Sequence, residues 1–493
     1  MISTNPVSTP VNAFNIRDFD AAGDGITDDR HAIQAALDAA ASAGGGTVRV
    51  PEGKYLTGTI SFRSNVTVQL DAGAVILGSE DPSDYPVDQY RWEGVEQPAH
   101  APLFCGQSLK NIALIGQGTI NGNGMIWWEQ FIQKSLAHPR PRLIGFSDCS
   151  NVLIDGLTLI NSPSWTVNPV RCENVTIHGL TILNPPDSPN TDGINPDSCE
   201  RVRISDCYVS VGDDCITLKS GTEHEKDHLR EACHDILITN CTLANGHGGV
   251  VIGSEMSGSV YDVTISNCVF TGTDRGIRLK SRRRRGGTVE DIRVSQLTME
   301  KVLCPITMNL YYHIGVRGDP FINDKKPRPT SPGTPRFRNI HFSRITAKDV
   351  KYAAGFIFGL AEMPIEDITF DHISISLASE TEQGYPEMAD GLELMAQAGF
   401  YINNARNVRL DNVEVQHQRG PAFMIYNVNG IEVNACGAGK DPKEKPLIHL
   451  ENVQNCTIQS CRPPLDDQHV ILVSGKHNEK IHLPGDPAAG NRA

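Results

Sequence analysis

D192-G-I-N-P-D197, D214-C-I-T-L-K219, G248-G-V-V-I-G253 and R275-G-I-R-L-K280 are four variants of one short strand, laid over one another by their apolar positions. In that alignment Asp192 and Asp214 share a phase, and Asp213 is offset by one residue. His247, Arg278 and Lys280 fall near equivalent points of the following segments. Stacked repeats turn such positions into a row on one face. A row holding three carboxylates, a histidine and two cations describes a cleft for an anionic substrate.

The repeat extends well beyond these segments. A strand of the form Asn/Asp, apolar, x, Ile begins near Asn111, Asn151, Asn174, Arg201, Asp235, Asp262, Asp291, Asn339, Asp367 and Asn407. Spacings of 23 (Asn151 to Asn174) and 27 (Asn174 to Arg201) suit one coil of a solenoid, and 48 (Asp291 to Asn339) implies an inserted loop. Short alternating strands at this period, without helical periodicity, predict an all-β chain folded as a right-handed parallel β-helix. Because its core grows along the axis, one such body absorbs the 493 residues without splitting into several domains. The solenoid is expected over residues 61–485, after an N-terminal cap over 1–60 and before a tail at 486–493.

The cap contains its own helix signal. Residues 14–59 run strand, turn, helix, strand, with Thr27 or Asp28 as N-cap, Ala32, Ile33, Ala36 and Leu37 as an apolar stripe, and Gly44 to Gly46 as the stop. Such a segment covers the open end of a solenoid, whose edge would otherwise recruit another chain.

Composition narrows the function classes. Hydrophobic residues make up 39% of the chain, enough for a large core, and 45 glycines and 30 prolines suit many turns. No apolar run of about 18 residues is present, so no membrane span is expected. A net charge of −14 argues against nucleic acid as a partner. Thirteen cysteines, an odd number, do not suggest a disulfide framework. Cys207, Cys241 and Cys268 occupy the pattern position of Leu157 and Leu180, so they are expected to form an inward ladder. No Cys or His spacing suits a metal, and neither a metal nor another cofactor is expected. The first residues lack a basic and then apolar leader, which gives a cytoplasmic expectation, or a secreted or periplasmic one if a leader was removed. Homo-oligomerisation is left open.

Strand parity assigns the chemistry. Ile277 and Leu279 should point inward, which turns Arg278 and Lys280 to the solvent face. The matched carboxylates Asp192 and Asp214 can hold and deprotonate a water, while the offset Asp213 protonates a leaving group. An inverting glycosidase needs that division, with carboxyls ~6.5–9.5 Å apart. Crowding raises the pKa of at least one of three carboxylates, which keeps an acid protonated. Arg278 and Lys280 are then available for a substrate carboxylate, Arg278 as a bidentate fork.

N-T-D-G at 190–193, G-D-D at 212–214, G-H-G at 246–248 and R-L-K at 278–280 occur in that order. Together they resemble the four signature motifs of glycoside hydrolase family 28, the polygalacturonase family, whose last motif usually reads R-I-K. The resemblance covers the chain from the cap to about residue 430. It implies Asp213 as general acid, Asp192 and Asp214 as the water-activating pair, and His247 as support for the acid. It further implies that Arg278 and Lys280 bind a galacturonate carboxylate and that Asn190 shapes the site. A pectic oligosaccharide or polysaccharide is the implied substrate.

Further residues are placed by position. Arg282, in the run Arg282 to Arg285, follows Lys280 directly and is either a substrate contact or part of a solvated loop. Tyr311 and Tyr312 follow the next strand and are placed to line the cleft. Trp127 and Trp128 fit a sugar-stacking platform and loop packing equally. Insertions at about 80–105, 121–142, 222–233 and 310–336 are long enough to wall one end of the cleft, which predicts exo action. Three alternatives accompany this reading: a related pectic hydrolase (rhamnogalacturonan or xylogalacturonan hydrolase, α-L-rhamnosidase), a β-helix lyase, and a non-catalytic carbohydrate-binding solenoid.

Overall fold

The computed structural model describes residues 12–225, 231–439, 446–462 and 471–483. Three parallel ladders run the length of the chain. The first is continuous from Val66–Leu70 through Lys110–Gly116, Ser150–Asp155, Glu173–His178 and Glu200–Ser205 to Cys233–Thr239 and onward. A second, shorter ladder stacks Thr119–Asn121, Thr158–Ile160, Thr181–Leu183, Tyr208–Val211 and Thr242–Asn245. The third carries Asp214–Leu218, Gly248–Ile252, Arg275–Lys280 and Cys304–Asn309. Parallel crossovers of this kind wind right-handed, and the chain is a right-handed parallel β-helix.

The residues that announce each coil do so for a conformational reason. All ten strand-opening positions, Asn111 through Asn407, have φ between 52° and 57°. That left-handed region suits Asn and Asp, whose short polar side chains bond locally. Several of them also form a ladder between coils. Asn151 Nδ2 donates to Asn111 Oδ1 at 2.9 Å, Asn174 Nδ2 to Asn151 Oδ1 at 2.7 Å, and Asn407 Nδ2 to Asp367 Oδ1 at 2.9 Å. The sequence pattern therefore marks the corners at which every coil turns.

Inside, alternate residues interlock into one apolar column that includes Ile204, Val209, Ile216, Leu243 and Ile277, all inaccessible to solvent. Cys207, Cys241 and Cys268 are buried in it as expected, with the Cys241 N–H 3.4 Å from Cys268 Sγ. All thirteen cysteines are free thiols.

At the N-terminal end the helix Arg30–Ser42 buries Ile33, Ala36, Leu37 and Ala40. Its N-cap differs from expectation. Asp29 occupies the cap position, but its carboxylate accepts from the Ala22 and Gly23 N–H groups, while Asp28 Oδ1 accepts from Arg30 N. Hydrogen bonding runs on from Ala13–Asn15 to Gly46–Val50 and then to Val66–Leu70, so the ladder has no break at residue 60. The expected tail at 486–493 lies outside the described residues. Among the described residues no helix is long and apolar enough to cross a membrane.

Candidate active site

The third ladder sets the register of the four opening segments. Isolated parallel bridges join Ile194 to Ile216 and Asp197 to Lys219, Asp214 pairs with Gly248, and Val250 with Ile277. Asp192 and Asp214 are therefore neighbours on adjacent coils, as the alignment required. Together with Asp213 they form a cluster whose nearest carboxylate oxygens lie within 4.8 Å of one another.

The three acids have different surroundings. Asp192 is buried and accepts from Asn195 Nδ2 at 2.9 Å. Burial, then repulsion from Asp213, pushes its carboxyl well above the usual range. Asp213 is half-buried, and burial followed by the Asp214 charge raises it too. Asp214 goes the other way. Burial opposes ionisation, but Lys280 Nζ at 2.7 Å from Oδ2 and Arg278 Nη1 at 3.4 Å from Oδ1 hold it below the carboxylate range. One carboxyl shifted down beside two shifted up is a workable acid–base set, and its titration belongs to the trio as a unit.

His247 stands one coil on from Asp213, its N–H bonded to the Asp213 carbonyl at 3.0 Å. Its Nδ1 lies 2.9 Å from Asp274 Oδ2. That bond outweighs the effect of burial, and Asp213 adds to it, so the imidazole is held above its ordinary pKa. Asp274 was not foreseen, although the register predicted it. Asp213, His247 and Asp274 occupy one row, each a residue ahead of the Asp214, Gly248 and Arg275 row.

Arg278 and Lys280 point away from the core as parity demands, but they are not on a solvent face. They are 1% and 5% exposed. Arg278 presents Nε and Nη2 to Glu387 at 2.7 and 3.3 Å, and Lys280 is bonded to Asp214. The expectation of a solvent face is corrected in this respect, while Lys280 still lines the cavity over the trio. Glu387 comes from a long insertion between Ile365–Leu377 and Ala398–Gln416, where no periodic signal marks individual side chains.

A cavity of about 300 Å³ opens over the trio, lined by Asn190, Asp192, Asp213, Asp214, Lys280 and Arg282 among others. Asn190 is fixed there by Arg140 Nη2, which donates to its Oδ1 at 2.7 Å. Tyr312 joins the lining and Tyr311 does not. Tyr311 is fully buried with its ring 4.6 Å from Phe358, because consecutive residues of an extended chain face opposite ways. Trp127 and Trp128 are buried on the helix Met125–Ile132, Trp127 against Tyr85 and His100 and Trp128 Nε1 donating to Ser162 O. The aromatic wall is instead Trp165, stacked on Trp92 at 5.1 Å and capped by Lys219 Nζ 4.8 Å from its ring. Lys219 bonds to Glu255 at 3.0 Å.

Three of the four insertions reach this cavity. The antiparallel hairpin Val87–Trp92 and Val95–His100 supplies Glu93 and Val95. Thr222 and His224 come from the insertion that begins at 222, and Tyr312, Ile314 and Gly315 from the one that begins at 310. A buried cluster pins the hairpin down, with Arg91 reaching Asp197 at 2.9 Å, Ser198 at 2.8 Å and Glu225 at 3.1 Å.

The sequence model of glycosyl hydrolases family 28 matches residues 42–389, spanning the coil segments that carry all three acids. The chain belongs to glycosyl hydrolases family 28. As a family 28 protein it is a glycoside hydrolase of the polygalacturonase family. A probable polygalacturonase of Vitis vinifera is 35% identical over 387 residues, covering 76% of this chain and 77% of that protein. A hyperthermoactive exopolygalacturonase from Thermotoga maritima superposes with a TM-score of 0.68 at 29% identity, over 82% of this chain and 92% of that one. A family 28 exopolygalacturonase of Yersinia enterocolitica shares the fold at 22% identity and a TM-score of 0.62, over 96% and 79%.

Proposed function

We propose that this family 28 enzyme hydrolyses α-1,4-galacturonosyl linkages of pectic oligo- and polygalacturonate with inversion, working from a chain end and releasing galacturonate. The observation that carries the reading is the carboxylate trio inside a cavity walled by three insertions. Asp213, whose protonated form is favoured by burial and by the Asp214 charge, donates to the glycosidic oxygen. Asp192 and Asp214 hold the water on the other side of the sugar. Asp192, whose raised pKa makes its carboxylate form the stronger base of the two, takes the proton of the water, and Asp214, its charge favoured by Lys280 and Arg278, orients it. His247, whose cationic form Asp274 favours, stabilises the Asp213 carboxylate that remains after proton transfer.

The carboxylate spacing of 4.8 Å or less is shorter than the ~6.5–9.5 Å separation of inverting sites and on distance alone favours retention. The ion pairs argue against a nucleophile. Asp214 would have to leave Lys280 and Arg278 to attack.

The walled cavity supports exo action, and the similar Thermotoga protein is named an exopolygalacturonase. A digest of polygalacturonate tests the reaction class. Hydrolysis yields new reducing ends without ultraviolet-absorbing unsaturated uronate and is insensitive to chelator. Unsaturated product would replace hydrolysis by elimination, and the absence of any product would leave a binding solenoid.

A further inference from the structure

Beyond Lys280 the chain bends through Ser281 to Arg285, and two guanidiniums turn back into the catalytic cavity. Arg282 and Arg285 both line it, with side chains 8% and 6% exposed. Among the described residues they share one carboxylate. Arg282 Nη2 lies 2.8 Å from Glu223 Oε1, and Arg285 Nη1 lies 2.7 Å from Glu223 Oε2. Arg285 Nη2 also donates to Ser254 Oγ at 3.4 Å. The Nε–H of each arginine is buried with no acceptor among the described residues.

Among the described residues the two buried guanidiniums close on one shared carboxylate and keep two unmet Nε–H donors, which is costly unless a further acceptor arrives. Burial, then the Arg285 charge, holds Arg282 below the ordinary arginine range. Glu255, the next acid on this wall, is already bonded to Lys219. Arg278, meanwhile, has its fork occupied by Glu387 and Asp214.

We infer that Arg282 and Arg285 form a carboxylate receptor on the wall of the cavity, reading the charge of a substrate uronate there. This rests on the galacturonide reading of the site. The guanidinium pair presents planar donors that match a carboxylate. With either arginine removed, the other keeps its own ion pair with Glu223.

The test uses the full chain and two single variants, Arg282→Gln and Arg285→Gln, assayed on digalacturonate and on its methyl ester. Loss of a charge-assisted hydrogen bond should raise KM for digalacturonate about tenfold or more, with kcat changing far less. The preference for free acid over ester should shrink, and the thermal midpoint should not fall. Arg282→Lys and Arg285→Lys, which keep the charge, should recover part of the lost affinity. Unchanged KM and ester preference in both Gln variants, with an active wild type, would overturn this inference alone. So would a KM effect accompanied by a fall in thermal midpoint and no rescue by lysine. A wild type inert on every galacturonide would sink the substrate reading and this inference together.

Discussion

Arg278 and Glu387, 109 residues apart in the chain, meet through two parallel bonds with neither side chain more than 1% exposed. Burial opposes the Glu387 charge, but Arg278 and Arg275 bring its carboxyl down to about 2. The pair ties a long insertion to the strand beneath the trio. Through its Nη1 on Asp214 the same guanidinium favours the charged form of one carboxylate of the trio.

Breaking that pair should therefore cost stability as well as rate. Glu387→Ala leaves Arg278 buried with Asp214 as its remaining anion and should destabilise the enzyme by about 3 kcal/mol or more, the usual scale for an orphaned buried partner. Urea unfolding followed by tryptophan fluorescence measures it. A loss below about 1 kcal/mol would mean that the insertion is held by other contacts.

The acid and the water-holding pair differ in what their loss does. Asp213→Asn keeps the shape of the side chain but has no proton to give, so turnover should fall at least ~10²-fold while substrate still binds. Asp192→Asn and Asp214→Asn should each lose activity on the same scale. Steady-state kinetics with a binding titration separates the effects. An Asp213→Asn enzyme retaining a tenth of the wild-type rate would assign the acid elsewhere.

How far the sequence led can be judged from these residues. The four aligned segments give the observed register, because each apolar position fills one column and a slip by one residue would turn every side chain over. Asp274 was within reach of the same logic, one row from His247. Lys219 was visible as an outward residue, but its role depends on Trp165 and Glu255, which belong to other coils. Glu387 and the pairing of Arg285 with Glu223 were beyond reach. They lie in insertions, whose contacts are set by long-range folding and leave no period in the chain. The same insertions explain why outward-facing Arg278 and Lys280 are buried.

Asp274 should act through the charge of His247. The raised pKa of this histidine in the folded enzyme means that its stabilising contribution is fully present below the unfolded value and is lost as pH rises through the folded one. Asp274→Asn should therefore lower the His247 pKa, seen by imidazole NMR titration. It should also reduce stability more at pH ~5.5 than at pH ~8.5, on either side of the ordinary histidine value. Equal destabilisation at both pH values would show that Asp274 supports the turn and not the charge.

The hairpin should set the mode of attack. Arg91→Ala removes the buried anchor to Asp197, Ser198 and Glu225 and should let Glu93 and Val95 swing off the cavity. Polygalacturonate digested by the variant should then give intermediate sizes early, where wild type gives galacturonate from the start. Chromatography of initial products distinguishes them. An early ladder already present in wild type would refute the chain-end reading while sparing the family.

The anomeric configuration of the first product is the most direct test of the account. Trigalacturonate mixed with enzyme in an NMR tube should show the newly formed reducing end first as the β anomer, with monogalacturonate present from the earliest spectra and the α signal growing in only by mutarotation. Initial α product would require a covalent intermediate on one of the trio. It would contradict the assignment of Asp192 and Asp214 as holders of an attacking water.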